Sequence, residues 1–209
     1  AQSAGLRVGM PATRAQVLVP GLLVQDAAPT ADAEALDRLA LWVLQRYAPI
    51  AAADPPDGIV LDTTGADHLH GGEQAMLAGM IDRLAGSGIP ARAAVADTWG
   101  TAHALARYAG RSILISLPGT AEAAVAPLPI TALRLPLALV DNLRTLGFDR
   151  IGDLLAQPRA PLTLRFGPEL GRRIDQALGL APELIDPIRP EDLIEVRRSF
   201  PEPIAAAET

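Results

Sequence analysis

The stretch PDGIVLDTTG, residues 56–65, sets one carboxylate, Asp57, beside Gly58 and a second, Asp62, five positions on. A divalent cation needs oxygen ligands that converge on one point. Asp57 and Asp62 do not converge: side chains alternate along a strand, so an offset of five sends them to opposite faces. Gly58 brings no ligand at all. Asp57 is the metal candidate that remains here, and a metal-dependent site built on it would need ligands from elsewhere. Farther on, Asp67, His68, His70 and Glu73 spell D-H-x-H-x-x-E. A His-x-His pair with a carboxylate can ligate zinc or manganese. The same letters also describe a loop that caps the next helix, with Glu73 favourable in its first turn. RFGPELGRR gathers Arg165, Arg172 and Arg173 around Gly167 and Gly171, a pattern suited to phosphate contact at a turn or to a solvated helix face.

Other chemistries lose their anchors. The 209 residues contain no cysteine, so disulfides, thiolate zinc sites and cysteine nucleophiles are excluded. All 18 basic residues are arginine; without lysine there is no Schiff base and no phosphate-loop lysine. The net charge of −6 speaks against nonspecific nucleic-acid binding by the whole surface. GSGIPA, residues 86–91, matches G-x-G-x-x-A but leaves a helix and enters a strand, the reverse of a dinucleotide fingerprint. Trp42 and Trp99 can stack bases, yet at 3% aromatics both suit core or interface packing better. No nucleophile–base pattern supports a hydrolase.

The elements that must position these residues show in the apolar spacing. Leu36, Leu39, Ala40, Val43, Leu44 and Tyr47 recur at threes and fours, which predicts a helix over 32–47 with Asp32 as N-cap. A shorter helix over 11–18 takes Pro11 in its first turn. Two extended runs around Pro-Pro-Asp-Gly predict a hairpin. A helix buried through Met76, Leu77, Met80, Ile81 and Leu84 follows, then a strand over 91–96, a helix over 99–108 and a strand over 111–116. Strand–helix–strand order predicts an α/β layer. Beyond Gly119, short helices broken by Pro and Gly predict a small all-helical domain, and 187–209 lacks sustained periodicity. No apolar run reaches the roughly 20 residues that span a bilayer, and AQSAGLRVGM lacks the apolar segment of a signal peptide. A cytoplasmic protein is expected, and a first residue of Ala is what a fragment would show.

Taken in order, these segments resemble the Y-family lesion-bypass DNA polymerases. GLRVGMPATRAQVLVPGLLV is similar to the fingers signature and DGIVLDTTG to the palm motif Ser-x-Asp-Glu-x-x-x-Asp-x-Thr. ARAAVADTWGTAHALARYAG is similar to the unit Gly-Ile-Ala-x-Asn-Lys-x-x-Ala-Lys-x-Ala. LRTLGFDRIGDLLA and RFGPELGRRIDQALG resemble the thumb, so the likeness runs over residues 5–200. It implies a fingers-like segment (1–31), a palm-like α/β domain (32–118), a thumb-like helical domain with a degenerate helix-hairpin-helix (119–186) and a linker toward a little finger (187–209). The first palm strand, with its metal-binding Asp, is expected before Ala1.

The same resemblance implies lost chemistry. Two-metal phosphoryl transfer needs carboxylates that hold two ions and cations that grip the triphosphate. Asp57 keeps the motif's Asp, but Gly58 replaces its Glu. The fingers arginine falls at Gln2, the Asn-Lys pair at Thr98-Trp99, and the Ala-Lys lysine at His103, which is neutral at pH 7 unless its pKa is raised. In the thumb, Arg134-Leu135-Pro136 stands where a Gly-x-Gly turn would present N–H groups to DNA. Kept fold and lost ligands resemble the ImuB-type branch of the family. That branch implies a non-catalytic adaptor in damage-induced translesion synthesis, with no cofactor of its own. Its expected partners are a RecA-like accessory protein, an error-prone replicative-type polymerase and the sliding clamp, engaged through parts beyond Thr209. Two alternatives stand: an active template-directed polymerase using Mg²⁺, and a DNA-binding module without chemistry that uses Arg165, Gly167, Gly171, Arg172 and Arg173.

Overall fold

A computed structural model describes residues 4–7 and 9–189 of the chain, which divides into two units, Ala1–Ala35 and Leu36–Thr209. In the first unit, α1 (Ala12–Leu18) begins directly after Pro11, whose φ of −56° and ψ of 136° place it outside the helix as its cap. Helix α1 buries none of its residues. Helix α2 spans Pro29–Leu44, and the second unit starts within it. The expected N-cap at Asp32 is therefore displaced: Asp32 lies in the first turn, where a carboxylate suits the helix dipole. Pro29 opens the helix because its missing N–H would have had no intrahelical partner. The far end stops at Leu44 rather than Tyr47, because Pro49 disfavours helical backbone just before it. Tyr47 still closes the turn, donating its N–H to the Val43 carbonyl at 2.9 Å.

The hairpin expected at Pro-Pro-Asp-Gly forms. Strands β1 (Ile50–Asp54) and β2 (Gly58–Asp62) pair antiparallel, with Ala52 opposite Val60 and Asp54 opposite Gly58. Beyond it come α3 (Glu73–Gly86), β3 (Ala93–Val95), α4 (Trp99–Tyr108) and β4 (Ile113–Ile115). The strand–helix–strand order yields a parallel pair, Ala93 opposite Ile113. Both strands are shorter than the apolar runs that predicted them, because only the middle residues pair. Among the described residues the strands make two separate two-stranded sheets. A cleft of about 1100 Å³ is lined by β2, by β3 and by Met76, Leu77 and Met80 of α3.

Two apolar cores hold the second unit together. One joins Val43, Tyr47, Ala51, Met76, Leu77, Met80 and Leu84, with Ile59, Leu61, Val95 and Ile115 packed on it. Ile81, expected in the same stripe, is only half-buried. The other core is helical. It takes α5 (Ala121–Val125), α6 (Leu137–Thr145), α7 (Ile151–Leu155), α8 (Arg159–Phe166) and α9 (Pro168–Leu178) around Val140, Leu143, Ile151, Leu154, Leu170 and Ile174. Ala104 and Leu105 of α4 belong to this second core, so α4 is shared between sheet and helices. After α9 the chain returns to the hairpin, where the Ile188 N–H donates to the Ala51 carbonyl at 2.8 Å.

Candidate functional site

The palm-like position sits at the hairpin turn. Asp57 occupies the turn, its side chain mostly exposed, and Gly58 begins β2. One helical turn of α4 faces them: His103 and Arg107, four residues apart, lie on one side of that helix. Arg107 Nη1 donates to Asp57 Oδ1 at 2.7 Å, and Arg107 Nε donates to His103 Nε2 at 2.8 Å. The guanidinium lies against Gly58 itself. A Cβ on Gly58 would stand 2.8 Å from Arg107 Nη2, 3.0 Å from the Asp54 carbonyl oxygen and 3.2 Å from Asp54 Oδ2. The place beside Asp57 where the family motif carries a second carboxylate is filled by a cation.

The electrostatics follow from burial. Removal from water, then the nearby Arg107 charge, push the His103 imidazole down to about 4, so it is neutral at pH 7. A neutral ring can accept the Arg107 hydrogen bond at Nε2. Asp54, whose Oδ2 is 3.7 Å from His103 Nε2, is raised above its ordinary value by burial, with Arg107 opposing the shift. Asp62 plays no part in this cluster. It accepts the Thr64 N–H at 2.9 Å, a turn contact, and bonds from Thr64 hold its carboxyl below the usual range.

Positions that the resemblance assigns to phosphate handling join helices instead. Thr98 caps α4, accepting the Thr101 N–H at 3.1 Å. Thr98 and Thr101 hydroxyls both donate to the Ala177 carbonyl of α9, each at 2.8 Å. Trp99 carries the Arg134 guanidinium over its ring at 4.8 Å. Arg134 sits at the turn where glycine was missing, and the turn keeps the left-handed backbone that glycine favours, with φ 57°. That conformation costs an arginine about 1 kcal/mol. Its side chain turns inward, Nη2 donating to Glu183 at 2.6 Å, and Glu183 also accepts from Arg173 Nη1 at 3.0 Å. Both ends of the Arg134–Glu183 pair are largely buried. Arg134→Ala should therefore destabilise the chain by about 3 kcal/mol, since it strips one partner from a buried ion pair while Arg173 remains. The midpoint of urea unfolding measures this loss.

The thumb-like arginines divide. Arg172 and Arg173 both bond Glu169 within α9, and these bonds hold the Glu169 carboxyl below its usual range. Arg165 is exposed, its guanidinium 5.8 Å from the Phe166 ring centroid. Gly167 has φ 82° at the junction of α8 and α9, whereas Gly171 lies inside α9, near Thr163. Asp67–His70 form a 3-10 turn in which His70 packs on the Tyr47 ring, centroids 5.2 Å apart. Among the described residues no group of three or more His, Cys, Asp or Glu is placed to hold a metal ion. Trp42 packs on Tyr47 at 5.5 Å. Gln2 lies outside the described residues.

Sequence reasoning named Asp57, Gly58 and His103 but missed Arg107, Asp54 and Glu183. Arg107 had one visible signal, its spacing of four from His103 on a helix face. Asp54 and Glu183 had none, because only folding brings them to the site.

No family model matches the chain. It is 48% identical over 204 residues to the protein ImuB from two strains of Caulobacter vibrioides, an alignment that covers 98% of this chain and 44% of each relative. The chain thus spans less than half the length of these curated relatives. Among solved structures, DinB from Sulfolobus solfataricus superposes with a TM-score of 0.67 at 17% identity, covering 89% of this chain and 56% of that one. A ternary complex of Dbh gives a TM-score of 0.66 at 18% identity, with 89% and 56% covered. At such identities the likeness is one of fold.

Proposed function

We propose, from the premise that this chain is a Y-family polymerase homologue of the ImuB type, that it serves as a non-catalytic adaptor in DNA-damage-induced translesion synthesis. The fold is polymerase-like; the reading concerns what it is used for. One observation carries it. The polymerase resemblance assigns phosphate handling to positions 98, 99 and 103, and in this chain Thr98 with Thr101 fastens α4 to α9 through the Ala177 carbonyl. Such a joint offers a triphosphate neither charge nor a free donor: threonine is neutral, and both hydroxyls already donate to a protein carbonyl. The cations near them are paired within the protein, Arg107 to Asp57 and both Arg134 and Arg173 to Glu183.

In this role the protein would supply shape and contact surface and leave the chemistry to others. Its partners would be an error-prone replicative-type polymerase, a RecA-like accessory protein and the sliding clamp, as the ImuB likeness implies. A cytoplasmic location is part of the same proposal, and no helix among the described residues is long and apolar enough to cross a membrane.

Primer extension tests the reading. With a primed template, nucleoside triphosphates and either Mg²⁺ or Mn²⁺, the protein is expected to add no nucleotide above background, and Asp57→Ala is expected to match it. Template-directed incorporation that disappears in Asp57→Ala would sink the adaptor role. It would restore the polymerase alternative, in which Mg²⁺ is the cofactor.

A further inference from the structure

The family's chemistry implies divalent metal at the hairpin turn, and the residues present do not fit it. A two-ion site needs several carboxylate oxygens converging on the same few ångströms of space. Here Asp57 offers one carboxylate, already held by Arg107 at 2.7 Å. Gly58 offers none, and the volume a side chain would need there lies against the Arg107 guanidinium. Asp54 approaches from β1, but its Oδ2 lies 3.7 Å from His103 Nε2 and 3.2 Å from where a Cβ on Gly58 would stand.

We propose that Arg107 is the resident cation of this site: its guanidinium takes the place of a divalent ion between Asp57 and Asp54, and it bars metal from the hairpin turn. This deepens the adaptor reading and rests on it. Three contacts fix the guanidinium. Asp57 accepts at Nη1, His103 accepts at Nε, and the bare backbone of Gly58 lets Nη2 approach. A Cβ at 58 would meet Nη2 at 2.8 Å and the Asp54 carbonyl oxygen at 3.0 Å, so a side chain there would displace the guanidinium. The groups facing Arg107 are thus Asp57 and Asp54 from the hairpin and His103 from its own helix, while Arg134 acts on both Asp54 and His103, Glu183 on Asp54 and Arg173 on His103. A guanidinium cannot shed its proton near neutral pH, so the site holds a permanent positive charge where a metal would have to enter. An arginine also ties the turn to α4, as a bound ion ties its ligands.

The test is Mn²⁺ binding to the 209-residue chain, without DNA or nucleotide, followed by the electron-spin signal of free Mn²⁺. The native chain should bind no Mn²⁺ through Asp57, so Asp57→Ala changes nothing. Arg107→Gln should gain binding by about tenfold or more, a shift of about 1.4 kcal/mol. That gain should vanish when Asp57→Ala is added. Arg107→Lys, which keeps a cation, should stay near native. Gly58→Glu combined with Arg107→Gln should bind most tightly. If Arg107→Gln does not fold, the native chain alone decides: Mn²⁺ should leave the amide resonances of Asp57, Gly58 and Arg107 unbroadened. Asp57-dependent Mn²⁺ binding by the native chain overturns the proposal, as does Arg107→Gln binding no better than native. Primer extension reports separately on the adaptor role, so the two ideas can fail independently.

Discussion

Gly100→Val is expected to destabilise the protein by about 4 kcal/mol. Gly100 is fully buried on α4 where that helix crosses α9. A Cβ there would stand 2.8 Å from the Ala177 Cα and 3.1 Å from its nitrogen. Both are backbone atoms, so neither can rotate away. To admit a side chain, α9 must retreat, and the Thr98 and Thr101 bonds to the Ala177 carbonyl break with it. Overpacking costs about 1–3 kcal/mol, and each lost hydrogen bond about 1 kcal/mol. Gly100→Ala sharpens the argument. In an open helix this change gains about 1 kcal/mol of helix propensity; here the clash outweighs the gain. Gly79, inside α3 with nothing within 4 Å of its would-be Cβ, supplies the opposite sign. Gly79→Ala should stabilise by up to about 1 kcal/mol. Denaturant midpoints for the three variants measure the contrast. Gly100→Val as stable as native would mean that α4 and α9 do not meet this closely.

The second large effect is a loss of stability in mild acid. The ordinary value for His103 is 6.5, and in the folded chain it falls to about 4. Its unfolded form therefore takes a proton first as pH drops. Stability from this group is complete above about pH 6.5, declines as pH falls from there to about 4, and then levels off. The full decline is worth roughly 3 kcal/mol, since each pKa unit carries about 1.4 kcal/mol. Asp54 works the other way. Its raised value means that the folded form protonates first, which returns some stability as the solution becomes acidic. His103→Gln keeps an acceptor for Arg107 but cannot titrate. Urea unfolding at pH 7 and at pH 4.5 should show the native chain losing about 2–3 kcal/mol more than His103→Gln. Equal losses would place His103 in water or in its charged form.

Much of this molecule was legible from local pattern. The hairpin at Pro-Pro-Asp-Gly, the α3 stripe of Met76, Leu77, Met80 and Leu84, and the β3–α4–β4 unit all follow from apolar spacing and turn residues. Where boundaries slipped, one proline or one unpaired strand end explains each. Asp32 yielded its capping position because Pro29 could start the helix earlier. The site was half legible. Gly58 reads as a missing ligand, and Thr98, Trp99 and His103 as missing charge, only through the polymerase resemblance.

What pattern cannot show is which residues meet. Arg107 pairs with Asp57 across 50 positions of sequence, and Arg134 with Glu183 across 49. Neither distance has a period or a motif, because such a pair exists only after both cores have packed and brought α4 to the hairpin and the segment after α9 to Arg134. The amino-acid order alone determined that Gly58, with no side-chain ligand, follows Asp57. Only tertiary structure decided that a guanidinium, fixed by burial and by the bare backbone of glycine, stands in the gap. Local spacing encodes what each residue can donate, whereas the packing of distant elements sets what it finds.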